Sequence, residues 1–447
     1  MKSKQIGRRR FLQGGAAAVG GLALGGMRSA SGQEATPAPI IRNTGVRPLG
    51  EISRYEKLVR TGTRTDMHTP LQDLRGIITP SNLHFHMNHE AGLIPEIDPE
   101  KHRLTIFGMV ERPLILTMAE LKRLPSVTRI YFLECNSNGT PRRVKAGKTV
   151  QDTHGLTSCA EWTGVPLSLL LKEAGVQKGG TWLVAGSADT ANHESSVPIE
   201  KAMSDGLAVY AQNGEALRID QGYPLRLILP GYGGRINVKY LSKIKVVHEP
   251  FMNTQDRTSF MEHTPAGEGA FLLAGDKAHL YQYSSYPKSV ITYPSGGHKL
   301  SGPGDYEISG LAWSGAGAVR RVEVTTDNGK TWKDAQLQEP VLRFAHTRFR
   351  LPWKWNGEEA ALQSRCTDEN GDVQASVTEL NKNWAIDSEE ACTSVMGEDC
   401  NRIPRRANRA YIQSWRVTRD GSVENATAAV MPEDEVIKGG VIHEQHH

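Results

Sequence analysis

One cysteine stands where its thiol could do chemistry. Ile130-Tyr-Phe-Leu133 is an apolar run of strand type, and it stops at a polar stretch, Glu134-Cys135-Asn136-Ser137-Asn138-Gly139, that ends in glycine. An apolar run that gives way to polar residues and glycine is typical of a strand entering a loop. The pattern therefore predicts that Cys135 lies in a loop, in position to contact a ligand.

Two interpretations of Cys135 stay open on the residues alone. A cysteine is often a small buried hydrophobic residue. Its thiolate is also a ligand for soft metals, although the residues around Cys135 contain no CxxC or HExxH motif that would complete a zinc or iron–sulfur site. A single thiolate suits a metal whose remaining ligands come from a cofactor.

The other cysteines have different contexts. Cys159 lies in a helix-like segment and Cys366 in a strand-like one, and we expect both to be core residues. Cys392 and Cys400 are eight residues apart in a loop-rich segment and are the best candidates for a disulfide, which the sequence does not decide. No CxxCH motif occurs, so we expect no haem attached to this chain.

The elements around Cys135 mix helix and strand. Thr117-Met-Ala-Glu120 has the spacing of a capping box, and Pro125 ends the short helix that follows. A second helix is predicted over 166–174, with Gly175 after its C-terminus. Residues 224–229 and 238–247 read as strands separated by the loop 230–235.

Past about residue 249 the pattern is almost entirely β. Short alternating runs cover 306–313, 319–325, 343–351 and 361–368, turn signals lie at 327–329 and 368–371, and a late strand is expected at 411–417. This pattern predicts an immunoglobulin-like β-sandwich. The fold class is therefore α+β, a mixed α/β domain followed by a β-sandwich.

The N-terminus predicts the compartment. Arg8-Arg-Arg-Phe-Leu12 stands directly before a weakly apolar stretch rich in Gly and Ala, as in twin-arginine export signals. That route carries folded proteins and commonly serves those that receive a cofactor in the cytoplasm. We expect a signal peptide over 1–32, a linker or arm over 33–55, and a periplasmic protein.

Charge and hydropathy exclude other classes. The chain has 447 residues and a net charge of +4, and its nearest approach to a basic run, 402–409, has no interleaved aromatic residues. Nucleic-acid binding is therefore not expected. No segment reaches 18 uninterrupted apolar residues, so we expect no membrane insertion.

Several fragments, in this order along the chain, resemble the sulfite oxidase family of molybdopterin enzymes. In the first half they are Thr79-Pro-Ser-Asn-Leu-His-Phe85, Asn88-His89, Ile97-Asp-Pro99, Phe132-Leu-Glu-Cys135, Trp162-Thr-Gly-Val-Pro166, Gly222-Tyr-Pro-Leu-Arg226 and Asn237-Val-Lys239. In the second half they include Ser289-Val-Ile-Thr292, Tyr306-Glu-Ile-Ser-Gly-Leu-Ala-Trp-Ser-Gly315 and Ser364-Arg-Cys-Thr-Asp368. The resemblance implies a molybdopterin-binding domain over 56–250, a dimerisation domain over 265–425 and a tail over 426–447.

The resemblance also implies a ligand set. Cys135 is the expected protein ligand of molybdenum in a Mo-molybdopterin cofactor. His89, Arg226 and Lys239 match positions that contact the pterin and its phosphate, for which buried cations are suited. The remaining residues assigned to cofactor binding are Phe85, Asn88, Asp189, Gln221 and Asn237.

The sequence departs from the family around the metal. Met87 stands where sulfite oxidases have an arginine beside the metal, and Gln221 replaces a pterin-contacting histidine. The active-site tyrosine of the family falls near Phe260 or, with gaps, near Arg257, and neither position is a tyrosine. Cofactor binding is expected to survive these changes better than sulfite oxidation.

The function implied is a dehydrogenase of reduced sulfur compounds, of the sulfane dehydrogenase type, that passes electrons to a separate c-type cytochrome. Its substrate would be sulfur on a carrier protein or a small sulfur anion, and the second domain would make a homodimer. A sulfite dehydrogenase and a non-catalytic cofactor-binding homologue are the alternatives.

Overall fold

The computed structural model describes residues 53, 55–63, 65–88, 93–139, 144, 146–189, 193–251, 261–262, 271–273, 277–281, 284–376 and 412–427, with only the backbone described over 261–281. Two compact units are distinguished, Met1–Lys57 and Leu58–His447, and the features below belong to the second. The predicted signal peptide, His89, Arg257, Phe260, Cys392 and Cys400 lie outside the described residues.

The first half of this unit combines short helices with strands that are mostly antiparallel and include one parallel pair. The helices are α1 Met118–Lys122, α2 Val150–His154, α3 Leu167–Ala174 and α4 Ile199–Asp205, and 3₁₀ turns cover Ser81–Leu83, Ile219–Gln221 and Gly234–Ile236. The strands are β1 Thr61–Thr63, β2 Asp66–His68, β3 His86–Met87, β4 Arg103–Gly108, β5 Leu114–Thr117, β6 Val127–Glu134, β7 Thr157–Pro166, β8 Trp182–Ser187, β9 Glu194–Pro198, β10 Leu207–Gln212, β11 Glu215–Ala216, β12 Arg226–Ile228 and β13 Leu241–Val247.

Local sequence signals set the helix ends. The Thr117 side chain accepts a hydrogen bond from the backbone N–H of Glu120, whose carboxylate accepts from the backbone N–H of Thr117, so the predicted capping box is confirmed. Gly175 ends α3 in the left-handed conformation, at a φ of 69°. Among the described residues, none of the helices is long and apolar enough to span a membrane.

The strands of the first half form three sheets. The first has the order β1-β2-β3, the second β11-β10-β7-β6 with β12 also paired to β10, and the third β5-β4-β13-β8-β9. Strand β6 lies at the edge of the second sheet and pairs along its whole length with β7. This edge strand leads directly into the loop that carries Cys135.

One expectation for this half is wrong. Cys159 lies in strand β7, opposite Phe132 of β6, and not in a helix-like segment. The burial pattern of β7 explains the difference, because seven of its ten residues are buried, including neighbours that point to opposite faces of the sheet, and this hides the alternation of a half-exposed strand. Cys159 and Cys366 are both fully buried, as predicted for core residues.

The second half is built from strands. They are β14 Met261–Glu262, β15 Phe271–Leu273, β16 Lys277–Tyr281, β17 Lys288–Tyr293, β18 Gly304–Trp313, β19 Val319–Thr325, β20 Lys333–Asp334, β21 Gln336–Leu337, β22 Thr347–Trp355, β23 Ala360–Asp368, β24 Ser414–Val417 and β25 Val423–Asn425. Two sheets, β17-β18-β22-β21 and β20-β19-β23-β24-β25, make the sandwich. A small sheet β14-β16-β15 precedes them.

The sandwich follows the predicted turns. Asn328 and Gly329 adopt positive φ values of 62° and 83° between β19 and β20, as a hairpin turn requires. The strand predicted over 343–351 instead begins at Thr347 and continues to Trp355. Residues before it form a turn in which Phe344 has a φ of 58°, so the apolar residues there do not extend the strand.

The sandwich interior belongs to a hydrophobic cluster that does not stop at the domain boundary. Trp313 and Trp415 of the sandwich share this cluster with Phe132, Val150 and Cys159 of the first half, all with almost no exposed surface. The end of β6 is therefore packed against the sandwich.

Candidate functional site

The loop after β6 holds Cys135 by its backbone. The amide of Cys135 donates to the carbonyl of Leu156 at 2.9 Å, and the carbonyl of Cys135 accepts from the amide of Asn138 at 2.9 Å. The Asn138 side chain accepts from the amide of Leu156 at 3.0 Å. The thiol is half-buried, with its Sγ 3.2 Å from the hydroxyl of Ser137. Cys135 is thus positioned in a loop, as its sequence context predicts.

The glycine-rich loop, residues 230–235, lies directly against the loop that carries Cys135. A Cβ atom at Gly233 would come within 2.2 Å of the Asn136 side-chain oxygen, and one at Gly234 within 3.0 Å of the Glu134 carbonyl oxygen. Neither glycine has a positive φ, so backbone conformation does not require glycine at these positions. Glycine is required because the backbone of this loop lies too close to Glu134 and Asn136 to leave room for a Cβ atom. The two loops can touch only because these side chains are absent.

Asn237 fixes the shape of this glycine-rich loop. Its side-chain oxygen accepts from the amide of Leu229 at 2.6 Å, and its amide nitrogen donates to the carbonyls of Tyr232 at 3.0 Å and Gly233 at 2.9 Å. These bonds engage both ends of the side chain within the protein. The structure therefore places this predicted cofactor-binding residue as the internal brace of a loop beside Cys135.

Two of the predicted cations lie together and are largely buried. Arg226 donates to the carbonyls of Gln221 at 2.9 Å and Asn237 at 3.3 Å. Lys239 donates to the carbonyls of Met87 at 3.2 Å and Asp220 at 3.3 Å. Burial lowers the pKa of Arg226 to about 10, and burial with repulsion from Arg226 lowers the pKa of Lys239 to about 8.

Four residues that the sequence analysis did not assign complete this charged cluster. Arg60 makes a 2.6 Å ion pair with Asp220 and also donates to the carbonyl of His84 at 3.0 Å. Burial lowers the pKa of His84 to about 3 and that of His86 to about 4, with Arg226 and Lys239 respectively adding to the effect. Both imidazoles are therefore neutral at pH 7. We call Arg60, His84, His86, Asp220, Arg226 and Lys239 the basic cluster.

The remaining predicted residues lie around the basic cluster. The Gln221 side chain donates to the carbonyl of Phe85 at 3.0 Å and accepts from Arg226 at 3.3 Å. Asp189 accepts from the hydroxyl of Ser187 at 2.6 Å, and its charge acts on Lys239. The Asn88 side chain donates to the carbonyl of Leu93 at 2.8 Å.

Met87 and Cys135 both pack on one hydrophobic cluster. This cluster includes Phe85, Leu133 and Trp162, and the guanidinium of Arg226 lies 5.2 Å from the centre of the Trp162 ring. Cys135 and the basic cluster therefore both contact this one hydrophobic cluster, Cys135 directly and the basic cluster through Arg226.

The basic cluster carries a net positive charge. Arg60, Arg226 and Lys239 face the carboxylates of Asp220 and Asp189, which leaves one positive charge unbalanced among the described residues when both histidines are neutral. Cations whose pKa values are lowered by burial, as those of Arg226 and Lys239 are, are stabilised when an anion is placed among them. This part of the protein is suited to a phosphate.

Three buried nitrogen atoms of the cluster have no hydrogen-bond partner among the described residues: the Nε of Arg226 and the Nε2 atoms of His84 and His86. Nδ1 of His84 lies 3.3 Å from the Phe85 carbonyl and Nδ1 of His86 lies 3.1 Å from the Asp220 carbonyl, so Nδ1 carries the proton and each Nε2 is an acceptor. A ligand with both N–H donors and anionic oxygens matches this set, because buried polar atoms are normally paired.

Two family models match this chain. Residues 91–255 match the oxidoreductase molybdopterin binding domain, and residues 281–389 match the Mo-co oxidoreductase dimerisation domain. The crystal structure of the sulfane dehydrogenase SoxCD from Paracoccus pantotrophus is 33% identical with a TM-score of 0.70, over 87% of this chain and 99% of that chain. The chain belongs to the sulfite oxidase family of molybdopterin oxidoreductases. The family resemblance and fold class expected from the sequence are confirmed.

Other relatives in the family are longer proteins. Mitochondrial sulfite oxidase of Rattus norvegicus is 31% identical over 317 residues, which is 66% of this chain and 57% of the relative. The NADPH nitrate reductase of Phytophthora infestans is 29% identical over 336 residues, 69% of this chain and 37% of the relative. The chain therefore spans only part of the length of these curated relatives.

Membership in the sulfite oxidase family gives the orphaned atoms of the basic cluster a suitable ligand. A molybdopterin has ring N–H groups for the two imidazole acceptors and a phosphate for Arg226 and Lys239. The half-buried thiol of Cys135 is a soft donor of the kind that binds a transition metal. The residues present fit the cofactor that the family implies.

Proposed function

We propose that this chain is the molybdenum subunit of a periplasmic sulfur dehydrogenase, which oxidises a sulfane sulfur and passes the electrons to a separate c-type cytochrome. The single observation that carries the proposal is the pairing of a loop-held thiol, Cys135, with the buried basic cluster. Cys135 offers a metal ligand and the basic cluster offers an anion site, and both contact the hydrophobic cluster that includes Trp162.

Each residue of the site has a distinct task in this proposal. Cys135 ligates molybdenum through its thiolate, and the Asn138 and Leu156 hydrogen bonds hold its backbone. Arg226 and Lys239 bind the phosphate of the cofactor, while His84 and His86 accept hydrogen bonds from the pterin. When bound, the cofactor supplies two-electron oxidation of sulfur, with the added oxygen drawn from water.

Met87 is the reason to favour a sulfane over sulfite. A cation at this position would give a sulfite dianion a charge-assisted hydrogen bond, worth about 1.5–3 kcal/mol, or roughly one to two decades of affinity. Met87 offers a thioether that packs on the hydrophobic cluster. A persulfide on a carrier protein can instead draw affinity from contacts away from the reacting sulfur.

Sulfite oxidation is the second candidate, because sulfite oxidases are among the relatives at 31% identity. Arg235, in the glycine-rich loop beside Cys135, or Arg257 could supply the charge that Met87 lacks. The two candidates share the cofactor and the chemistry at sulfur, and they differ in the size and anchoring of the substrate.

Export and partners belong to the same proposal. The Arg8-Arg-Arg-Phe-Leu12 segment supports twin-arginine export after cofactor insertion in the cytoplasm. Electrons leave for a separate cytochrome, since this sequence has no CxxCH motif. The family description of residues 281–389 as a dimerisation domain supports a homodimer.

The experiment is to purify the protein with its co-encoded neighbours, measure molybdenum and pterin content, and follow cytochrome c reduction with a carrier persulfide and with sulfite. We expect about one molybdenum per chain and reduction that depends on the persulfide. Micromolar Michaelis constants for sulfite, or no gain in sulfite affinity in Met87→Arg, would contradict the choice of substrate. A cofactor-loaded protein without turnover on either substrate would favour a non-catalytic homologue.

The proposed metal ligand has a matched control, the second cysteine Cys159 in strand β7. Cys135→Ser exchanges a soft thiolate for a harder oxygen, so we expect loss of turnover with the fold retained. Cys159→Ser changes a fully buried cysteine in β7, where burial raises the pKa of the thiol to about 12 and disfavours the thiolate that a metal would bind, so this variant should stay active. Wild-type activity in Cys135→Ser would refute the ligand assignment.

A further inference from the structure

A buried ion pair joins the β-sandwich to the residue before Cys135. Lys288, the first residue of β17, lies with its Nζ 2.7 Å from the Glu134 carboxylate, and the two side chains are 2% and 0% exposed. The same carboxylate oxygen accepts from the Asn138 side-chain amide at 2.9 Å. Lys288 also donates to the Asn138 carbonyl at 3.5 Å. The pair therefore contacts both ends of the loop that carries Cys135.

Stability alone is a poor reason to keep such a pair. Removing two charges from water is expensive, and replacing a buried ion pair by well-packed apolar residues is often neutral or stabilising. Breaking a pair by removing one partner is strongly unfavourable, because a charge is then left buried and uncompensated. Lys288 and Glu134 can instead specify one arrangement of the loop, because the fully buried Glu134 carboxylate meets the Lys288 ammonium only in that arrangement.

Two further contacts from the sandwich hold the same strand end. The amide of Phe132 in β6 donates to the carbonyl of Phe344 at 2.7 Å. The imidazole of His346 lies 3.0 Å from the hydroxyl of Thr157, which itself donates to the carbonyl of Leu133 at 2.9 Å. Residues 132, 133 and 134 are thus each linked to the second domain, directly or through one side chain.

We infer that Lys288 is a positioning residue for the Cys135 thiolate, an inference that rests on the proposed role of Cys135 as the molybdenum ligand. In this inference the β-sandwich holds the loop that carries Cys135 in place through Lys288, and we call this contact the clamp. This role is separate from any part of the sandwich in dimer formation. Loss of the Lys288 charge leaves Glu134 without its cationic partner, one residue from the thiol, and the loop must rearrange to bring that carboxylate toward water.

The test compares Lys288→Met with the charge-neutral double variant Glu134→Gln/Lys288→Met, in which the new amide oxygen can still accept from Asn138. Two control variants distinguish an effect on the position of Cys135 from a general loss of stability. Lys299→Met removes a lysine from an exposed ion pair with Asp420, and Val417→Ala truncates a buried side chain on β24. All variants are made in the full chain.

Two readouts follow the thiol itself. In protein made by cells that lack molybdopterin, iodoacetamide alkylation of Cys135 is timed by mass spectrometry of its peptide. We expect Lys288→Met to change this rate by about tenfold, the effect of about 1.4 kcal/mol on loop geometry, and the double variant to lie nearer the wild type. In the loaded enzyme, we expect a shift of the thiolate-to-molybdenum absorption band in Lys288→Met.

The outcomes separate cleanly. An unchanged alkylation rate and absorption band in Lys288→Met, or equal changes in Val417→Ala, would overturn the inference. If Lys288→Met does not fold, the double variant decides: an alkylation rate and absorption band near those of the wild type support the inference of a clamp, because the unpaired Glu134 charge is then what disturbs the loop, and values as far from the wild type as those of Val417→Ala would overturn it. Wild-type protein that never takes up molybdenum would refute the proposed function instead, while the alkylation comparison would still report on the loop.

Discussion

Lys239 offers a quantitative test of the basic cluster. Its pKa is about 8 in the protein without cofactor, against 10.5 for an ordinary lysine, because it is buried beside Arg226. Between about pH 8 and 10.5 the unfolded chain holds a proton on this lysine that the folded chain has released. The free energy of unfolding of the cofactor-free protein should therefore rise with pH in that window.

The size of the effect follows from the two pKa values. Each pH unit of difference corresponds to about 1.4 kcal/mol, so the lysine contributes a rise of at most about 3.5 kcal/mol between pH 8 and 10.5. Replacing Lys239 with Met removes the titrating group and keeps a side chain of similar length. The variant also loses hydrogen bonds to the carbonyls of Met87 and Asp220, which lowers its stability by a similar amount at every pH.

The assay is urea unfolding of cofactor-free protein at several pH values from 7 to 10.5. Other lysines and tyrosines titrate in this range in both proteins, so the difference between wild type and Lys239→Met isolates the one group. Lys245→Met, at an exposed position on β13, is the matched control, because it removes one lysine outside the basic cluster.

Cofactor binding should reverse the behaviour of Lys239. A phosphate beside the ammonium favours its charged form, so the loaded protein should show little or no rise in this window. A difference between wild type and Lys239→Met that is independent of pH in the cofactor-free protein would refute the buried, repelled environment. The same rise in loaded and cofactor-free protein would place the phosphate elsewhere.

Three further results are expected. Gly233→Ala should destabilise the protein by about 1–3 kcal/mol and lower molybdenum retention, because its Cβ would meet Asn136 at 2.2 Å, whereas Gly304→Ala, with nothing within 4 Å, should do neither in unfolding and metal assays. Because the pKa of His84 is lowered to about 3, only the unfolded chain takes up its proton at pH 5, and the free energy of unfolding of the cofactor-free protein should be about 2 kcal/mol lower there than at neutral pH. In His84→Phe the free energy of unfolding should fall less steeply as the pH is lowered. Light scattering at micromolar concentration should give twice the mass of one mature chain, and a monomer would contradict the dimer.

The sequence was informative where the cause of a feature is local. The capping box at Thr117, the glycine after α3 and the turn at Asn328 each depend on residues within four positions, and each is present in the structure. The loop position of Cys135 follows in the same way from an apolar run that ends at a polar one. Such signals can be interpreted without knowing what packs on them.

The sequence was less informative where a role depends on distant residues. Asn237 matches a cofactor-binding position, yet its side chain is engaged by three backbone groups of the glycine-rich loop, which no spacing predicts. His84 and His86 stand on either side of Phe85 in the sequence. This spacing of two residues was the one sequence signal that the two imidazoles lie close together. Their neutral state arises from burial near Arg226 and Lys239, more than 130 residues away in the chain.

The hydrophobic cluster that crosses the domain boundary makes the two halves thermodynamically inseparable. Phe132, Val150 and Cys159 are covered by the sandwich core, so a chain cut after β13 would place these side chains in water. Unfolding should then be a single cooperative transition of the whole unit, and neither half is a transferable module. A nascent chain is then expected to complete its molybdopterin-binding half only after the strands of the sandwich have been synthesised, and we expect cofactor insertion to follow that point.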